Sequence, residues 1–265
     1  MPADELPMDL PIIDLDVFLN NPQDSPESKA ECLKAANALI TYGALVLHDS
    51  RVSEEDNTTF LDLLEDYFAQ PREDLQKDER PELSYQIGVT LENTEKPKCA
   101  VDEPCLDVIA RLAPEERPLD ISAHSPDPKC RFFWRMNDAP PPEVNTQFPG
   151  LNAANVAGKQ LEYITGGLVK AGFHEVVINE ATIAAMKRRT EEHPDRPLIR
   201  ISSTMFYHLS SDYDLAPLPA LAEKAKQVRA QQFNLGKDEG AEVEYPPTKV
   251  GFQVQSELKH IALMA

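Results

Sequence analysis

Basic residues are scarce in this 265-residue chain: 26 Lys and Arg stand against 45 Asp and Glu, a formal net charge of −19. Affinity for nucleic acid comes largely from cations that neutralise phosphates, so no nucleic-acid partner is expected. Long hydrophobic runs are absent as well. The longest, around Ala44 to Leu47, is far short of the roughly 20 residues that cross a bilayer, and no membrane partner is expected. Residues 1–10 carry acids, no base and no apolar stretch, unlike a secretory leader, which predicts a cytoplasmic protein. The cysteines Cys32, Cys99, Cys105 and Cys130 show no C-x-x-C spacing, and in a reducing compartment they predict free thiols. Cys99 and Cys105 share an acidic loop with no histidine nearby to complete a metal set. Glycine is sparse, 10 against 23 prolines, which points to many rigid loops.

What remains is ordinary globular material, with 42% hydrophobic and 27% charged residues. Ile12 and Ile13 read as a short strand. An acidic loop leads to a helix from about Ser28 to Thr41, with Cys32, Ala35, Ala36, Leu39 and Ile40 at helical spacing and Gly43 placed to cap it. Gly43 to His48 follows as a buried strand. Ser53, with Asp56 three places on, marks the start of a helix running to about Ala69. Its apolar face is Phe60, Leu63, Leu64, Tyr67 and Phe68, and Pro71 ends it.

Residues 71–130 are charged and broken by prolines, with one strand expected at Ser84 to Thr90 and a short helix from Asp102 to Leu112. Phe132, Phe133 and Trp134 read as core aromatics, and Pro140 to Pro142 as a polyproline spacer. Asn179 caps an amphipathic helix to Glu192 that turns Ile183 and Met186 inward. An exposed turn, residues 191–197, returns the chain. Two further helices are expected, at Leu218 to Phe233 and Phe252 to Met264.

The chemistry is concentrated between residues 158 and 206. From Gly172 to Val177 the side chains alternate, so that His174 and Val176 share one strand face and Phe173, Glu175 and Val177 the other. A second β-rich run, Leu198 to Phe206, places Arg200 and Ser202 on one face by the same period. A guanidinium fork and a hydroxyl two places apart suit a carboxylate. Taken without further context, His174 reads as a core histidine and Arg200 as the partner of an acid.

The run Gly158, Leu161, Thr165, Gly166, then His174 with Val176, then Arg200-x-Ser202, resembles the C-terminal part of the isopenicillin N synthase-like, clavaminate synthase-like Fe(II)/2-oxoglutarate oxygenases. Pro11 to Leu15, followed by a helix and Gly43 to Leu47, resembles the N-terminal part of the same family. The resemblance spans about residue 10 to the C-terminus. It implies that His174 matches the family's third iron ligand and that Arg200 and Ser202 hold the far carboxylate of 2-oxoglutarate. In an intact relative, the iron and oxygen convert 2-oxoglutarate to succinate and carbon dioxide while a small-molecule substrate is oxidised.

One part of that pattern is missing. The family completes its iron site with an earlier His-x-Asp pair, leaving three positions open for 2-oxoglutarate and oxygen. No such pair stands between Phe133 and Gly158, and the strands that would carry it look deleted. His193-Pro194-Asp195 spells the tripeptide, but it follows His174 and lies in a charged, proline-containing turn, where a solvated turn is the better reading.

The expectation is therefore an α+β protein: an N-terminal α/β cap domain over 1–100, a loop-rich connector over 101–157, and a partial jelly roll with terminal helices over 158–265. Its expected function is that of an impaired 2-oxoglutarate oxygenase lacking part of its iron site, with Fe(II) and 2-oxoglutarate as the implied cofactors. The alternatives are a non-catalytic binding or regulatory module, whose open strand edges a protein partner covers, and an incomplete version of a longer active enzyme.

Overall fold

The computed structural model describes residues 10–95, 103–114, 117–118, 128–134, 147–148, 159–172, 176–204, 209–234, 243–261 and 263–264. In chain order the elements are β1 (Ile12–Asp14), α1 (Leu15–Asn20), α2 (Pro26–Tyr42), β2 (Val46–His48), α3 (Glu54–Phe68), α4 (Arg72–Leu75), β3 (Gly88–Thr90), α5 (Glu103–Arg111), β4 (Arg131–Phe133), α6 (Lys159–Ile164), α7 (Glu180–Glu192), β5 (Asp214–Leu215), α8 (Pro219–Asn234), β6 (Thr248–Lys249) and α9 (Val250–His260). The class is α+β. Among the described residues the strands form three separate two-stranded sheets, β1 with β2, β3 with β4 and β5 with β6. No helix among them is long and apolar enough to cross a membrane.

The chain clusters into two compact units, each drawn from three stretches: 1–60, 158–174 and 215–247 in the first, and 61–157, 175–214 and 248–265 in the second. The expected C-terminal region, 158–265, thus contributes to both.

In the first unit, β1 and β2 pair in parallel, with Ile12, Ile13 and Asp14 opposite Val46, Leu47 and His48. Parallel strands need a long connection, and α1 and α2 supply it. Ser25 caps α2 by accepting from the Ser28 amide, Pro26 opens it, and Gly43 closes it at φ 66° with its N–H donated to the Leu39 carbonyl. A side chain at Gly43 would also crowd the Lys170 carbonyl, 3.1 Å from where its Cβ would stand. Ser28 and Ala38 are the buried residues of α2; of the expected face Ala35, Leu39 and Ile40 are half-buried and Cys32 and Ala36 exposed, so the buried stripe is rotated from the expected one. Ile13 is buried, whereas Ile12, Val46 and Leu47 are exposed, so β2 is not the buried strand its composition suggested.

Elsewhere in this unit, α6 ends in a turn with Gly166 at φ 60° and Gly167 at φ 78°. Arg229 of α8 donates to the Gly166 carbonyl at 3.1 Å, satisfying a helix-end acceptor. Glu162 accepts from the Tyr245 hydroxyl at 2.8 Å and from the Ala171 amide at 2.9 Å. Burial, followed by that hydrogen bond to Glu162, pushes the Tyr245 phenol well above its usual range. Gly167 lies in the left-handed region, where a side chain would be strained, and a Cβ there would also push aside the Arg229 guanidinium.

In the second unit, β3 and β4 pair antiparallel, with Val89 opposite Phe132. Leu75, Val89 and Leu91 form a buried cluster against Tyr67, Cys130 and Phe132. Burial of each large apolar side chain contributes about 2 kcal/mol relative to exposure. Phe132 therefore serves the core as expected, while Trp134 is exposed. Arg131 lies 4.1 Å over the Phe133 ring and pairs with Glu95 at 2.7 Å. In α9, Gly251 lets Phe148 pack within 2.4 Å of where a Cβ would stand, and Phe148 meets Phe252 edge-on.

Cys105 is disulfide-bonded, and since Cys32 and Cys130 are free, its partner lies outside the described residues. Cys99 and Cys105 stand six positions apart, and thiol chemistry read from compartment alone did not weigh that short loop. Ile183 and Met186 of α7 are exposed, not inward. What anchors α7 is charge: Glu65, buried on α3, is held by Arg189 from α7 and by Arg196 from the following turn at 2.5 Å, and Arg196 also reaches Asp62 at 2.7 Å. Replacing Glu65 with Ala leaves two guanidiniums facing a gap. We expect Glu65→Ala to lower unfolding free energy by about 2 kcal/mol in urea titration, less than for a dry pair because both arginines keep solvent contact. A change under about 0.5 kcal/mol would show that the network is decorative.

Candidate functional site

The residues singled out by sequence fall as follows. His174 lies outside the described residues. Arg200 and Ser202 are both exposed, on a stretch that adopts no strand from Leu198 to Thr204. The sequence there alternates as a strand does, but a strand persists only when a neighbour completes its backbone ladder, and among the described residues none pairs with it. Its apolar residues are consequently left in solvent, Leu198 at 50% exposure, and the stretch before α7 is the same, with Val176 at 63% and Ile178 at 67%. His193 caps the C-terminus of α7 and, with Pro194 and Asp195, sits in an exposed turn, as read from the sequence.

The structure gathers a different set of ligating side chains in the first unit. Asp14 and His48 are the last residues of the two parallel strands and stand opposite each other in register. The carboxyl ends of parallel strands are where open sheets present their chemistry. Asp14 is also the N-cap of α1: its Oδ1 accepts from the Asp16 amide at 3.1 Å and lies 3.1 Å from His48 Nδ1. Asp16 falls in the first turn of α1, and its carboxylate accepts from the Ser50 hydroxyl at 2.9 Å. The Asp14 amide donates to Glu31 of α2 at 2.8 Å, fixing the strand end against the crossover helix. One ligand atom from each of Asp14, Asp16 and His48 lies within 4.8 Å of the others.

Electrostatics couple this group. The hydrogen bond to Asp14 raises the His48 pKa, helped by the charges of Asp14, Asp16 and Asp49. The same bond, with the Asp16 amide, lowers the Asp14 pKa. Next to them the Arg51 side chain holds Asp49 down to about 2. Histidine spacing along the chain gave no hint of this cluster, because 34 residues separate Asp14 from His48. The usable signal was structural: two short strands joined by a helical crossover bring their final residues side by side.

No family model, no curated protein and no solved structure matches this chain.

The His48–Asp14 pair has a definite pH signature. A histidine whose folded pKa is raised contributes stability that is fully present below about pH 6.5 and is lost as pH rises through the folded value. Asp14, with its pKa lowered, contributes stability present above about pH 3.9 and lost as pH falls through its folded value. In an NMR titration we expect the His48 ring to titrate above the ordinary value, and Asp14→Asn to bring it back. A His48 midpoint indifferent to Asp14→Asn would contradict the pairing.

Proposed function

We propose that this chain is an Fe(II)/2-oxoglutarate oxygenase by descent that does not turn over on its own and retains a carboxylate-binding pair, Arg200 and Ser202. The reading rests on the motif order of the sequence, Thr165-Gly166, His174, Arg200-x-Ser202, with no His-x-Asp before it. The observation that carries it is the solvent-exposed apolar run on either side of α7. Val176 to Ile178 and Leu198 to Ile199 have the composition of strands that face a core, and no sheet covers them among the described residues. Exposure of this kind is what loss of neighbouring barrel strands leaves behind.

The iron implied by the resemblance does not fit the residues present. Of its three protein ligands only His174 has a counterpart, and one imidazole does not hold Fe(II) against hydration. The surviving chemistry is recognition: the Arg200 guanidinium offers a planar pair of donors to a carboxylate, and the Ser202 hydroxyl adds a third. The same exposed apolar run supports a second reading, a non-catalytic module whose open strand edges pair with another protein, such as an intact relative.

Calorimetric titration of metal-free protein with 2-oxoglutarate tests the first reading. We expect saturable binding that Arg200→Ala abolishes, and no succinate when Fe(II) and oxygen are added. Succinate formation by the purified chain would overturn the loss of turnover, and absence of 2-oxoglutarate binding would overturn the retained pair.

A further inference from the structure

We propose that Asp14, Asp16 and His48 bind one divalent transition-metal ion at the carboxyl ends of β1 and β2. The site is independent of the iron implied by the family resemblance, which rests on His174, and it would stand if that resemblance failed.

Ligands held about 2.0–2.2 Å from one ion lie roughly 3–3.5 Å from each other. Asp14 Oδ1 and His48 Nδ1 are already 3.1 Å apart, and the widest separation in the group is within 4.8 Å. Closing onto an ion therefore needs a shift of little more than an ångström, which exposed side chains make by small torsional changes.

The backbone fixes this arrangement. Asp14 and His48 are register partners across a sheet, so their separation is set by the strand spacing and not by a loop. Asp16 follows two residues later in the first turn of α1, and the cap hydrogen bond from its amide ties it to Asp14. The Ser50 hydroxyl donates to Asp16, an outer hydrogen bond of the kind that orients a ligating carboxylate.

Charge and donor type then choose the ion. Two carboxylates cancel a divalent charge, and one imidazole favours Mn(II), Fe(II), Co(II) or Zn(II) over Mg(II) and Ca(II). The nearby cations are each engaged with another acid, Lys34 with Glu31 at 3.0 Å and Arg51 with Asp49 at 2.6 Å. The His48 side chain is 57% exposed, so water can complete the coordination sphere and an ion can enter without opening the fold.

The test is Mn(II) titrated into the metal-free full chain, followed by loss of the free-ion electron paramagnetic resonance signal. We expect one ion per chain, with His48→Ala and Asp16→Asn each weakening binding by about tenfold or more. His174→Ala and the exposed-turn control Asp195→Asn should leave it unchanged. In the unsubstituted protein, substoichiometric Mn(II) should broaden the His48 ring resonances before those of His193 and His260, a readout that needs no variant to fold. Absence of saturable binding, binding lost in His174→Ala but kept in His48→Ala, or equal broadening of all histidines would overturn the proposal.

Discussion

A β-strand has no hydrogen bonds of its own; it exists only where a neighbour supplies the ladder. That constraint governs this chain. Where a partner is present, even short runs become strands: Ile12–Asp14 beside Val46–His48, and Gly88–Thr90 beside Arg131–Phe133. Where none is found among the described residues, as from Leu198 to Thr204, an alternating sequence stays irregular and exposes its apolar residues. Arg200 and Ser202, the pair of the proposed function, sit on that irregular and exposed stretch.

With so little sheet, polar networks carry much of the specificity of packing. Glu65 ties α3 to α7 and the turn after it through two arginines. Glu162 joins α6 to Tyr245 and to the Ala171 amide above a glycine pair in the left-handed region. Asp14 combines three tasks, as a strand end, a helix cap and the partner of His48. An acid at each centre is consistent with a chain in which 45 acids stand against 26 Lys and Arg, so that every basic residue has an acid to pair with.

Local signals in the sequence were legible. Ser53 accepts from the Asp56 amide at 3.0 Å and Asn179 from the Thr182 amide at 2.9 Å, so both helix starts stand where their capping residues placed them. Gly43 caps α2 in the left-handed region as its position indicated. What could not be read was tertiary. Ile183 and Met186 have the spacing of an inward face, yet Arg189 and Arg196 decide how α7 is held, and long-range charge pairing leaves no periodic trace. His48 had no ligand-like spacing because its neighbours Asp14 and Asp16 reach it through the register of a sheet. Over the described part of the strand expected at Leu198 to Phe206, from Leu198 to Thr204, no strand forms for the converse reason: periodicity reports what a segment prefers, and pairing depends on what the rest of the chain provides.

The most direct test of this account is amide hydrogen exchange on the intact chain. Helices α2 and α3 should be protected, whereas the amides of Val176 to Asn179 and Leu198 to Thr204 should exchange close to the rate of an open chain, because no ladder among the described residues holds them. Slow exchange across Leu198 to Thr204, comparable with that of β1 and β2, would mean that the stretch bearing Arg200 and Ser202 is paired in a sheet, and would contradict the claim on which the proposed loss of oxygenase chemistry rests.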